Sequence, residues 1–164
     1  MKYKYTFKEK AGKFNLLFVL LLLFSCEAIF LKPREFKNEF IRHTSSANSV
    51  LYDGDFLHPT YAFLKNGKII GIEFNGNPEC GQYTRRYFLD DDEKISKIII
   101  EKDFYDDHCG KPFDSIFVIE IPTKQIKVYT KSTDGKIINN NQLIENETIN
   151  IAEYKEKLKN WHYR

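Results

Sequence analysis

Asn66-Gly67 lies between two strand-like runs, Tyr61–Lys65 and Lys68–Phe74, and constrains the fold more than any other feature of the sequence. A two-residue connection of this type needs positive φ at both positions, which Asn and Gly adopt at low cost, and it closes an antiparallel hairpin. Ile70, Ile72 and Phe74 alternate with Gly71 and Glu73, which predicts a strand with one buried face. Tyr83–Leu89 and Ile95–Lys102 form a second pair, joined through Asp90-Asp91-Asp92-Glu93. Ser115–Ile121 and Gln125–Thr130 form a third, turning at Pro122-Thr123-Lys124, and Asp134-Gly135 marks a further turn before Lys136–Ile138. The expected fold is mainly β: an antiparallel meander sheet or small open barrel of about six to eight strands.

Helical patterning is confined to the flanks. Asn150 is placed to cap a C-terminal α-helix, with Glu153 three residues on as in a capping box. Ile151, Tyr154, Leu158 and Trp161 form one apolar stripe, and Glu153 and Lys157 are spaced as an i,i+4 pair. This stripe is expected to lie against one face of the sheet. Near the front, Pro33 suits the first turn of a short helix in which Phe36 and Phe40 share a face. Thr44–Ser49 then reads as a loop. The expected organisation is a tether with this short helix over 26–50 and a single β-rich domain over 51–164.

The first 26 residues have a different character. Lys2, Lys4, Lys8, Lys10 and Lys13 precede nine uninterrupted apolar residues, Leu16–Phe24, as in an export signal. A bilayer-spanning helix needs about 20 apolar residues. Extending this run to Ile29–Leu31 would bury Glu27 in lipid, where a carboxylate is costly. Leu23-Phe24-Ser25-Cys26 resembles the lipobox of bacterial lipoproteins, with an aliphatic residue three before the cysteine and a small one directly before it. The resemblance implies that 1–25 is a signal peptide cleaved before Cys26, and that the Cys26 sulfur carries diacylglycerol. It further implies acylation, such as palmitate, at the new amino terminus. The domain would then sit in the bacterial cell envelope, in the periplasm or at the cell surface, anchored to a membrane by lipid. The competing reading is ordinary secretion with a free cysteine.

Removing the leader takes away five basic residues and one acidic residue, leaving 20 basic and 22 acidic side chains and a net charge of −2. The basic balance of the whole chain therefore belongs to the leader, and no nucleic-acid partner is expected. With Cys26 lipidated, Cys80 and Cys109 remain as an even pair in an oxidising compartment, which favours a disulfide. A meander also places the connections Asn75–Gln82 and Asp103–Asp114 at the same end of the sheet. Strands two apart lie about 9–10 Å from one another, a gap that loops of this length close to bonding range. The alternatives are two buried free thiols or half of a metal site, although His108-Cys109 has the wrong spacing for a zinc knuckle.

Catalytic patterns are missing. The sequence has no Gly-x-Ser-x-Gly elbow, no phosphate-cradling glycine loop and no His-Glu-x-x-His pair. Ser115, His108 and Asp114 supply the residue types of a triad, but within eight positions such a set arises readily by chance. No catalytic residue, cofactor or metal is assigned. Asn75, Asn77, Glu79, Asp106, Asp107, His108 and Lys111, with Asp53, Asp55 and His58, gather polar groups near the disulfide end. These are also the ordinary residues of turns.

Binding candidates are Tyr83, Arg85 and Tyr87 on one strand and Asp106, Asp107 and His108 in a loop. Tyr and Arg are enriched at binding hot spots and are equally common as cross-strand packing partners. Asn146-Glu147-Thr148 matches a glycosylation sequon without consequence in a bacterial chain. The lipoprotein resemblance and the missing catalytic patterns lead to one expectation, a non-catalytic binding lipoprotein with a protein or glycan partner. The alternatives are an envelope assembly factor and an immunity protein against a secreted toxin.

Overall fold

Asn66 and Gly67 have φ values of +53° and +79°, and the turn they form joins two antiparallel strands as the hairpin pattern requires. The computed structural model describes residues 32–53, 55, 57–77, 79–104, 114–130 and 133–164, with Asp114 described by its backbone alone. Helix α1 spans residues 32–44. It is followed by β1 (Ser49–Asp53), β2 (Thr60–Lys65), β3 (Lys68–Gly76), β4 (Gly81–Leu89) and β5 (Ile95–Phe104). Next come β6 (Asp114–Glu120), β7 (Gln125–Thr130), β8 (Lys136–Ile138), helices α2 (Asn141–Glu147) and α3 (Ile151–Leu158), and β9 (His162–Tyr163). The strands form one nine-stranded sheet in the order β8-β7-β6-β5-β4-β3-β2-β1-β9, with every pairing antiparallel. The sheet is open, and its edges are the two shortest strands. Short edge strands limit pairing with foreign chains.

Strand alternation sends each residue to one of two faces, and both faces are apolar at the centre. On the first, Leu51, Ala62, Ile72, Tyr87, Ile98, Ile119, Ile126 and Ile138 stand in register across eight strands. Tyr154 and Leu158 of α3 complete this core. On the second face, Phe88, Ile99, Ile116 and Val118 pack with Phe36 and Phe40 of α1. Phe40 sets its ring edge-on to Phe63 and Phe88, at 5.4 and 5.2 Å. Full burial of such a side chain contributes about 1.5–3 kcal/mol. The helix approaches closely because Gly71 lies beneath it. A Cβ there would fall 2.5 Å from Thr44 Cγ2 and 3.1 Å from the Phe40 ring.

The fold class agrees with the sequence reading, and its details add to it. The additional strands are β1, preceding the Asn66-Gly67 hairpin, and the two-residue β9. The C-terminal helical region is two helices, α2 and α3, and Trp161 lies beyond α3 rather than within it. Asn140 and Asn150 cap them: Asn140 Oδ1 accepts from Leu143 N, and Asn150 Oδ1 accepts from Ala152 N. Glu153 reaches back to the cap, but its carboxylate accepts from the Asn150 side-chain Nδ2, at 2.9 Å, rather than from the backbone N–H of a capping box.

Two local expectations are corrected. A bulge at Phe63/Leu64 shifts the register of β3, so Ile69, rather than Ile70, reaches the buried face. Within 26–50, the short helix with Phe36 and Phe40 on one face is present as α1, and the compact unit begins at Phe36 rather than at residue 51. The aromatic residues of α1 are needed to cover the second sheet face.

Candidate functional site

Tyr83, Arg85 and Tyr87 share one face of β4, as the sequence reading expected, but they do not form one exposed stripe. Tyr87 is 2% exposed, packs edge-on to Phe74 at 5.6 Å, and belongs to the core. Burial, reinforced by the Glu147 charge, pushes its phenol up to about 12. Tyr87 is therefore corrected from a docking residue to a packing one. Tyr83 and Arg85 remain half-buried at the margin of the helix-covered area. The Tyr83 ring lies across Gly76, where a Cβ would come within 2.3 Å of it. The Arg85 guanidinium stacks over that ring at 4.8 Å from its centroid. Glu147, at the end of α2, accepts from Arg85 Nε at 2.7 Å and Nη2 at 3.4 Å. Burial works against the Arg85 charge, but the Glu147 carboxylate outweighs it and raises the guanidinium pKa further.

The stripe continues sideways across the sheet. Lys102 on β5 is directly opposite Tyr83, and Ser115 on β6 is directly opposite Lys102. The Lys102 ammonium lies 5.6 Å from the Phe117 ring and makes no ion pair among the described residues. Ser115 is 5% exposed and its Oγ has no hydrogen-bond partner among the described residues. The result is a margin of two cations, each seated on an aromatic face. Cation–π contacts of this kind are worth about 0.5–2 kcal/mol, depending on desolvation.

The other candidates separate. Asp106, Asp107, His108, Cys109 and Lys111 lie outside the described residues, as do the leader and Cys26. Cys80, beside the start of β4, is 4% exposed. His58 Nδ1 is 3.3 Å from Asp55 Oδ2 in an exposed loop. Asp55 Oδ1 also accepts from the Leu57 and His58 backbone, and the Leu57 bond is the main cause of its lowered pKa. That geometry is a turn of the backbone held by its own side chain. Asn75 accepts from Thr84 Oγ1 at 3.1 Å and donates to Glu73 at 3.3 Å, so it is occupied within the sheet. No group of three metal-ligating side chains occurs among the described residues. The buried position of Ser115, in a strand, fits no nucleophile.

The sequence reading missed a network on the opposite face. Arg86, 4% exposed, donates from Nε to Glu73 at 2.7 Å and from Nη1 to Glu101 at 2.5 Å. Lys97 similarly joins Glu39 of α1 and Glu120 of β6, at 2.8 and 3.0 Å. Strand parity was the available signal, since Glu73, Arg86 and Glu101 all fall on the face opposite Tyr87 in three successive strands. The β4–β5 connection keeps Asp90, Asp91 and Asp92 exposed, and its hydrogen bonds come from Asp90 and Glu93. Asp90 Oδ1 accepts from Asp92 N and Lys94 N, while Glu93 binds the Ile69 N–H at 2.8 Å and the Lys155 ammonium of α3. Among the described residues, no helix is long and apolar enough to cross a membrane. Comparison with known proteins returns no matching family model, no matching curated protein and no matching solved structure.

Proposed function

We propose that this chain is a lipid-anchored protein of the bacterial envelope whose domain is a non-catalytic binding module. The leader and Leu23-Phe24-Ser25-Cys26 support the anchor. In the oxidising compartment this implies, the buried Cys80 would pair with Cys109 in a disulfide. The observation that carries the binding reading is the cationic margin formed by Tyr83, Arg85, Lys102 and Phe117. Arg85 is already paired with Glu147, whereas Lys102 makes no ion pair among the described residues, so the partner class that suits this margin is a protein surface presenting an acidic side chain to Lys102. The edges β8 and β9, three and two residues long, offer little backbone for strand addition, which disfavours an assembly role through the sheet edge.

Two measurements test the reading. Metabolic labelling with an alkyne fatty acid, followed by mass spectrometry of the mature amino-terminal peptide, is expected to place acyl chains on residue 26. Loss of label in Cys26→Ala would agree. A mature chain beginning before Cys26 would remove the anchor from the proposal. For the partner, crosslinking capture from membranes should lose the same acidic protein with Arg85→Glu and with Lys102→Glu. Equal capture by wild type and both variants would remove the β4–β5 margin as the binding face, and capture of glycan alone would reassign the partner class.

A further inference from the structure

An open groove of about 380 Å³ lies between the C-terminal segment and the β1–β3 end of the sheet, away from the cationic margin. Its floor is apolar, built from Leu51, Leu64 and Ile69, and one wall is Leu158 and Trp161. Lys155 and Lys159, on successive turns at the end of α3, also line it. A trough of mixed lining, apolar at its floor and bordered by two ammonium groups, complements a molecule with an aliphatic body and one negative head. The volume is at the low end of the roughly 300–1,000 Å³ typical of small-molecule sites, which suits a single chain rather than a two-chain lipid or a protein helix. The two lysines differ in availability. Lys155 is held by Glu93, whereas among the described residues Lys159 pairs only with Glu156, and both of those side chains are about 70% exposed. An exposed pair of this type contributes little, about 0–1 kcal/mol, so Lys159 exchanges partners readily.

We propose that this groove binds a single-chain aliphatic carboxylate of the fatty-acid class, with the chain over Leu51, Leu64 and Ile69 and the head at Lys159. The inference uses neither the Cys26 anchor nor the Arg85 margin, so it stands or falls separately from the function proposed above. Trp161 is the only tryptophan in the chain, which makes its emission a reporter confined to the groove wall.

The full-length protein in lipid nanodiscs is titrated with brominated dodecanoate, whose bromine quenches a tryptophan it touches. The corresponding brominated alcohol and trimethylammonium compounds are titrated in parallel. Saturable quenching is expected with the carboxylate, at least fivefold tighter than with either analogue. Lys159→Glu, a change at an exposed position, is expected to weaken the carboxylate about three- to tenfold and leave the alcohol unchanged. Quenching that rises linearly with concentration marks partition into the bilayer and overturns the proposal. Equal affinity for the three head groups overturns it too, and that series needs only the wild-type chain.

Discussion

Removing the Arg86 side chain leaves Glu73 and Glu101 facing each other on the inner part of a sheet, with side chains only 20% and 21% exposed. Burial lifts the Glu101 carboxyl above its usual range, and the Arg86 charge offsets only part of that rise. Arg86→Ala is therefore expected to cost about 3–5 kcal/mol, the range for breaking a buried pair on one side only. Urea unfolding at neutral pH measures it, and a loss below about 1 kcal/mol would show that water replaces the guanidinium without strain. Glu93 provides a test by pH. Burial alone would raise its carboxyl, but Lys155 and the Ile69 N–H outweigh that and bring it below 4.5. A lowered folded-state pKa contributes stability that is complete above the unfolded value and is lost as pH falls through the folded one. The stability gap between wild type and Glu93→Gln is thus expected at pH 6–7 and should shrink as pH drops below about 4.5. A gap unchanged down to pH 3 would detach Glu93 from Lys155. Arg85 was conspicuous in the sequence because it sits among tyrosines. The role of its neighbour Arg86 was not legible, because it depends on two acidic residues that only the pairing register brings alongside.

At the level of elements, the strands were legible wherever a turn announced them. Asn66-Gly67, Pro122–Lys124 and Asp134-Gly135 all bound the strands they were expected to bound. β1 escaped notice because Ser49–Asp53 is short and has no turn of that type on its leading side. The two-residue β9 carries no periodicity to read. The bulge in β2–β3 was also hidden, since nothing in Ile69-Ile70 says which isoleucine turns inward. α3 was legible through its cap, and the cap can be weighed. Asn150→Ala removes the acceptor for Ala152 N and the donor to Glu153, so a loss of about 1 kcal/mol is expected in thermal or urea unfolding. An unchanged midpoint would mean that Tyr154 and Leu158 hold the helix without help from its first turn.

For the molecule as a whole, the proposed Cys80–Cys109 bond bears on stability more than any surface charge. It would close a loop of about 30 residues, and the chain-entropy model assigns such a crosslink roughly 3–4 kcal/mol. Reduction under native conditions is expected to lower the unfolding midpoint by that equivalent, with the sheet signal in circular dichroism retained before melting. No shift on reduction would indicate that the bond is absent or closes no constrained loop. The two faces of the sheet also have different custodians. One is covered by aromatic residues near the front of the chain, and the other by α3 near its far end, with β9 returning to lie beside β1. A polypeptide delivered amino end first is consequently unsealed until residues 151–163 arrive. Any copy clipped ahead of them presents a bare isoleucine-rich surface, a defect that quality-control proteases and chaperones recognise by stickiness alone.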